Sequence, residues 1–178
     1  YTNADEVELF VNGKSQGVKK NDRSSAKLRN QIRWENIEYQ PGYCEAVART
    51  AGKVVARHRI ETTGKPVALK IEADNVNWKA DGQDLQHLRI YAVDAKGRRV
   101  QTATGDVKVT LNSKAATLLA MSSGDNRSDE LNKVDHRQLY KGSVLAILRS
   151  GIDGGEAVVT AECPGLKSAK IKMTVNNR

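Results

Sequence analysis

Residues 6–13, EVELFVNG, decide the fold class because they join a strand pattern directly to a hairpin turn. Strict alternation puts two sets of side chains on opposite faces, with Val7, Leu9 and Val11 on one and Glu6, Glu8 and Phe10 on the other. Asn12-Gly13 follows at once, and this dipeptide best fits a type I′ hairpin turn. Because an isolated hairpin is only marginally stable in water, further strands are expected around it.

Strand patterns continue along the chain, whereas no stretch has the periodicity and caps of a long helix. Residues 27–40, which contain Trp34, are predicted as a strand that Pro41-Gly42 closes. Residues 43–62 predict a strand, an Ala51-Gly52 turn and a second strand. Short strands then recur every 8–12 residues or so, separated by Gly and Asx turns, except for a long polar loop from Ser122. This spacing is typical of β-sandwiches.

A short segment around residues 63–66 interrupts the pattern with Gly64 and Pro66, and we predict a domain boundary there. The expected architecture is all-β, with two tandem immunoglobulin-like β-sandwich domains at residues 1–62 and 63–178. The first strand begins almost at Tyr1, so the first sandwich is expected to lack a strand that lies upstream.

The composition is that of a globular protein, with 39% hydrophobic and 28% charged residues. No apolar run reaches the roughly 18–20 residues that span a bilayer. The net charge of +8 raises the question of nucleic-acid binding. However, the excess is spread along the chain without a basic helix or a zinc-finger spacing, so a solvated basic surface is the interpretation adopted and no nucleic-acid partner is expected.

Two stretches carry a resemblance to a known family. The first is YTNADEVELFVNGKSQG with the block IRWENIEYQPGYCEAVARTAGKVVARHRIETTGKPVAL, and the second is KADGQDLQHLRIYAVDAKGRRV. The first resembles the segment that follows the catalytic barrel in family 2 glycoside hydrolases of the β-galactosidase type. The second is similar to the C-terminal immunoglobulin-like domain of that family, and to bacterial Ig-like modules in general.

The resemblance implies a non-catalytic C-terminal region that supports a missing (β/α)8 barrel or its substrate access. The implied partners are that barrel and the other domains of the same parent chain, and the implied location is periplasmic or extracellular. Bacterial Ig-like modules also occur on cell surfaces. The alternative function is therefore a surface adhesin or a carbohydrate-binding module, with glycans as partners.

No catalytic residues are expected in residues 1–178. Retaining glycosidases need two carboxylates about 5–5.5 Å apart, and the resemblance implies that both are glutamates on a barrel of roughly 250 residues. This chain has neither that length nor the alternation of strands and helices. A triad of Ser122 or Ser123 with Asp125 and His136 can be drawn on paper, but no nucleophile elbow accompanies it.

Metal and cofactor sites are not predicted either. Asp81, Asp84 and Asp94 lie in turns, where capping is the main interpretation and a calcium site the alternative. The histidines lack metal-ligand spacing, and His58 is expected to be packed among apolar neighbours. Cys44 and Cys163 lie in strand-like stretches and are expected to be buried free thiols.

Sugar binding would require an exposed aromatic ring. Trp34 coincides with a motif residue of the resembled family and is expected in the core. Trp78 is flanked by polar residues near a turn, so it is expected to be exposed and is the candidate carbohydrate contact. Phe10 lies on the polar face of its strand, where it could meet a neighbouring domain.

Overall fold

A computed structural model describes residues 1–177, and every regular element among them is a β-strand. The predicted all-β class is confirmed. The chain divides into two compact units, Tyr1–Thr62 and Thr63–Arg178. Within residues 1–177 there is no helix of the length and apolar character that crossing a membrane requires.

The first unit contains one antiparallel sheet with the strand order β2-β1-β3-β4. Its strands are β1 (Glu6–Val11), β2 (Lys14–Lys20), β3 (Tyr43–Thr50) and β4 (Lys53–Glu61). Asn12 and Gly13 join β1 to β2 with φ values of 49° and 81°. Positive φ at both central residues is what a type I′ turn requires, so the predicted hairpin is confirmed.

The strand predicted over residues 27–40 is wrong. Residues 26–30 form a turn and 31–40 pair with no strand among the described residues. Asn30 and Asn36 have φ values of 62° and 58°, a left-handed conformation that interrupts an extended ladder. Trp34 is half-buried and packs with Ile32 against a small cluster formed by Ala4, Val7 and Ala48.

The two faces of the first sheet differ in chemistry. The register places Leu9 beside Ala46 and Val11 beside Cys44, which extends the apolar face away from that cluster. Every residue of β4 is exposed, including Ile60 at 61% of its surface. On the opposite face Val47 is buried between Glu8 and Arg57. Glu8 forms an ion pair with Arg49, and Arg57 forms one with Glu45. Residues 1–62 therefore leave part of an apolar sheet face uncovered.

The second unit contains two four-stranded antiparallel sheets, ordered β5-β6-β10-β8 and β12-β11-β7-β9. The strands are β5 (Ala68–Ala73), β6 (Leu85–Val93), β7 (Asp106–Ser113), β8 (Ala116–Ser122), β9 (His136–Gln138), β10 (Ser143–Ser150), β11 (Gly155–Glu162) and β12 (Ala169–Val175). One apolar core unites residues of both sheets, among them Leu88, Ile90, Val107, Met121, Leu148 and Val159. The predicted sandwich is confirmed in this unit.

The polar loop predicted after Ser122 holds one short strand that the pattern did not indicate. β9 has three residues and pairs with Asp106–Lys108 of β7. Within it Arg137 is 4% exposed and donates to the backbone carbonyl of Glu130 at 2.8 Å. The loop is therefore tied to the edge of the second sheet.

Candidate functional site

Trp78 is buried, and the prediction of an exposed ring is wrong. Only 1% of the residue is exposed, and its indole N–H donates to the carbonyl of Asp84 at 3.0 Å. Its own backbone carbonyl accepts from the N–H of Asn176 at 2.7 Å, and this bond holds the loop against the residue that follows β12. The ring is part of the core, so it offers no face on which a sugar could stack.

Asp81 and Asp84 hold the turn that precedes β6. One carboxylate oxygen of Asp81 accepts from the backbone N–H groups of Gln83 and Asp84 at 2.9 and 2.7 Å. Asp84 accepts from the N–H of Lys79 at 2.8 Å. These contacts are turn caps, as predicted. Among residues 1–177 no three His, Cys, Asp or Glu side chains are grouped so as to hold a metal ion.

Asp94 organises the turn after β6. Its buried carboxylate accepts from the backbone N–H groups of Gly64, Lys96 and Arg98 at 2.8–3.0 Å. The Arg98 guanidinium also binds it, with Nη2 at 2.7 Å. These donors, first of all the Arg98 side chain and then the Gly64 N–H, hold the pKa of Asp94 well below its usual range.

The acid and the base of the triad drawn from the sequence, Asp125 and His136, are engaged elsewhere. Asp125 accepts two bonds from the Arg127 guanidinium at 3.0 and 3.1 Å, and His136 Nδ1 lies 3.1 Å from Asp135. An imidazole oriented by Asp135 on the exposed surface does not form the nucleophile–base pair of a triad. His58, predicted to be packed, is exposed because nothing in residues 1–62 covers its end of the sheet face.

The two cysteines are free thiols, Cys163 buried and Cys44 half-buried. Burial raises the pKa of the Cys163 thiol, and the nearby charge of Asp106 adds to this effect. A thiol of raised pKa is a poor nucleophile, so Cys163 has the chemistry of a core residue.

A cleft of about 550 Å³ lies on the outer face of the sheet β5-β6-β10-β8. Its polar and aromatic lining includes Glu72, Arg89, Tyr91, Arg99, Ser122 and Ser143. The strand register produces this grouping, since Tyr91 on β6 lies beside Lys70 on β5 and Ser143 on β10. Clefts of roughly 300–1,000 Å³ with a few convergent polar groups are typical small-molecule sites.

Hydrogen bonds fix the side chains at the β5 side of the cleft. The Tyr91 hydroxyl donates to Glu72, and Lys70 Nζ lies 2.9 Å from the same carboxylate oxygen. The bond from Tyr91, followed by that from Lys70, lowers the pKa of Glu72. Arg89 is paired with Asp74 at 2.7 Å. Two cations of this wall thus have carboxylate partners.

Arg99 differs from those cations. Its Nη2 donates to Ser143 Oγ at 2.7 Å and to the carbonyl of Lys141 at 3.2 Å. Its guanidinium lies 5.8 Å from the centre of the Tyr91 ring. Within residues 1–177 no carboxylate pairs with it, so its charge is not neutralised. Sequence reasoning missed the cleft, and the available signal was the alternation of Lys70 with Glu72 and of Arg89 with Tyr91 on one outer face.

Both units match known families. Residues 69–172 match the model of the glycoside hydrolase family 2 C-terminal domain 5. Residues 1–56 match the model of a domain of unknown function, DUF4982.

The curated relatives that this chain matches are much longer than it is. A beta-galactosidase from Bacteroides ovatus, BoGH2A, is 34% identical over 174 residues, which are 98% of this chain and 20% of that protein. A beta-glucuronidase from Formosa agariphila is 27% identical over 97% of this chain and 17% of its own length. The chain therefore spans about a fifth of the length of the curated relatives it matches.

Solved structures show the same relation. A glycosyl hydrolase family 2 member from Bacteroides cellulosilyticus superposes with a TM-score of 0.87 and 33% identity, over 98% of this chain and 22% of that one. A beta-glycosidase from Bacteroides vulgatus, at 24% identity and a TM-score of 0.88, has the same fold over 98% of this chain and 22% of its own. With more than half of its residues inside the first family model, the chain belongs to the glycoside hydrolase family 2 C-terminal domain 5 family.

Proposed function

We propose that this chain is the non-catalytic C-terminal region of a larger family 2 glycoside hydrolase. The carrying observation is the similarity along 98% of the chain to a fifth of a beta-galactosidase. In this proposal the two catalytic carboxylates lie on a barrel elsewhere in the parent chain, and the parent cleaves a β-galactoside or a β-glucuronide.

The role proposed for the region is to support the barrel or its substrate access. The second unit suits this role because a closed sandwich with a continuous core is a rigid body. The first unit suits it because its partly uncovered apolar face offers surface for packing against other parts of the parent. We also propose a periplasmic or extracellular location, on the basis of the family alone.

The test compares three proteins: the parent enzyme, the parent without this region, and residues 1–178 alone. Each is assayed with 4-nitrophenyl β-galactoside and β-glucuronide, and its thermal unfolding is followed by calorimetry. The parent should hydrolyse one substrate, the truncated parent should unfold at a lower temperature, and the isolated region should be folded and inactive.

Hydrolysis by purified residues 1–178 would overturn the proposal, provided that it persists after a second chromatographic step. So would a parent gene that encodes further Ig-like domains and no barrel, which would favour the adhesin. An unchanged unfolding temperature in the truncated parent would refute the supporting role while leaving the non-catalytic assignment intact.

A further inference from the structure

We propose that the cleft on the outer face of β5-β6-β10-β8 binds an acidic sugar, a pyranose that carries one carboxylate or sulfate group. A purely supporting domain needs no ligand, so this site goes beyond the proposed function. Its argument rests on the charges, the hydroxyl groups and the ring that line the cleft.

The charge balance of the cleft leaves one cation over. Lys70 is paired with Glu72 and Arg89 with Asp74, and both pairs are within salt-bridge distance. Arg99 remains without a carboxylate among residues 1–177, so the local net charge is +1. A single anionic group would complete the balance.

The position of Arg99 is fixed before any ligand arrives. Its two bonds through Nη2 to Ser143 and Lys141 hold one end of the guanidinium, and the Tyr91 ring lies beside it. Nε and Nη1 have no protein acceptor within residues 1–177. These N–H groups lie on different edges of the guanidinium, so each can donate a separate charge-assisted hydrogen bond to a carboxylate or sulfate oxygen. A held guanidinium loses little freedom on binding, which favours affinity.

The rest of the lining fits a sugar better than a bare anion. Ser122 and Ser123 bring hydroxyl groups that can both donate and accept, as sugar hydroxyls require. Tyr91 and Leu145 supply apolar surface on the same floor, against which the C–H groups of a pyranose can lie. The cleft thus combines one charged anchor, neutral hydrogen-bonding groups and an apolar floor.

The test uses the full 178-residue chain and four probes of equal length. They are a galacturonate tetramer, its methyl ester, a 6-sulfated galactose tetramer and the unsulfated galactose tetramer. Binding is measured by titration calorimetry at an ionic strength of about 0.1 M, where the Debye length is about 10 Å, and by amide chemical shifts in the wild-type protein. At least one acidic probe should bind, with shifts centred on Tyr91, Ser122 and Ser143, and the two neutral probes should bind far more weakly. Which acidic probe binds identifies carboxylate or sulfate as the recognised group.

Two variants distinguish specific binding by Arg99 from a nonspecific effect of the positive charge of the protein. Arg99→Gln should weaken binding about 10- to 100-fold, the range expected when charge-assisted hydrogen bonds are lost. Arg149→Gln is the matched control, because it removes the same charge from an exposed residue on the same face of β10 as Ser143. It lies six residues from Ser143, about 20 Å along the strand, and should leave affinity within about twofold, since distant exposed charges are screened.

Three results would overturn the proposal. They are no shift in the cleft amides with either acidic probe, equal binding of a neutral probe, and equal weakening by both arginine variants. The amide shifts are read in the wild-type protein, so the test stands even if Arg99→Gln folds poorly. None of these results bears on whether the parent is a glycosidase, which the hydrolysis assay decides separately.

Discussion

The two units of this chain start from the same strand patterns and reach different degrees of burial. In the second unit two sheets face each other, and Leu88, Ile90, Met121 and Leu148 have almost no exposed surface. In the first unit a single sheet has a cluster of three buried apolar residues, with Ile32 and Trp34 packed against it. Its outermost strand, β4, is exposed along its whole length.

The difference shows that an alternating strand pattern indicates an apolar sheet face that must be buried, but does not indicate which segment buries it. Sheet faces are stable when a second layer packs on them. In residues 63–178 the second layer is another sheet of the same unit. In residues 1–62 it is a segment without strands that reaches one end of the apolar face. The units should therefore differ most when each must fold alone.

Separate expression of the two units should show the largest effect. Residues 63–178 should unfold cooperatively in urea with a free energy of unfolding of about 5–15 kcal/mol. Residues 1–62 should have a free energy of unfolding near zero, because a small single sheet buries too little apolar surface to offset its conformational entropy. Each unit contains one tryptophan, Trp34 or Trp78, so fluorescence reports each transition directly. A steep transition of several kcal/mol in residues 1–62 would contradict this interpretation.

Local patterns predicted the elements that local physics determines. The β1–β2 hairpin followed from alternation and from the positive φ that Asn12-Gly13 accepts. The β3–β4 hairpin followed in the same way from Ala51 and Gly52, which have φ values of 48° and 75°. In both cases the turn and the pattern lie within a few residues of one another, so no distant contact was needed to specify them.

The failures at Trp78 and at the cleft depend on distant partners. Trp78 has polar neighbours in the sequence, but its backbone carbonyl is bonded to Asn176, 98 residues away, and a local pattern does not show this contact. The segment around Trp34 has a strand pattern and no strand beside it among residues 1–177. The cleft around Arg99 requires the register of neighbouring strands, which short-range alternation does not give.

Replacement of each tryptophan by phenylalanine should lower the free energy of unfolding by different amounts in the two units. This difference should be smaller than the one between the separately expressed units. Trp78→Phe removes the bond to the Asp84 carbonyl and leaves a cavity, so it should cost about 2–4 kcal/mol. Trp34→Phe should cost about 1 kcal/mol or less, because the lost indole N–H is buried with no partner among residues 1–177. Circular dichroism in urea measures both losses, and amide exchange in β3 and β6 assigns each to its unit. Equal costs would show that the Trp78 hydrogen bond adds nothing to its packing.

The smallest expected difference between the units is in how their stability depends on pH. Asp94 should make the stability of the second unit fall in acid. Its folded-state pKa lies below the unfolded value of about 3.9. The stability it contributes is therefore complete at about pH 5 and above, and it is lost as pH falls from about 5, through the unfolded value, toward the folded pKa. Asp94→Asn should lower the unfolding temperature of the second unit at pH 7 and flatten its decline below pH 5, because the variant has no carboxylate to protonate. Asp153→Asn removes the same charge from an exposed position and serves as the control. If both variants decline with acid as steeply as the wild type, the Arg98 and Gly64 contacts of Asp94 are not the source of the acid sensitivity.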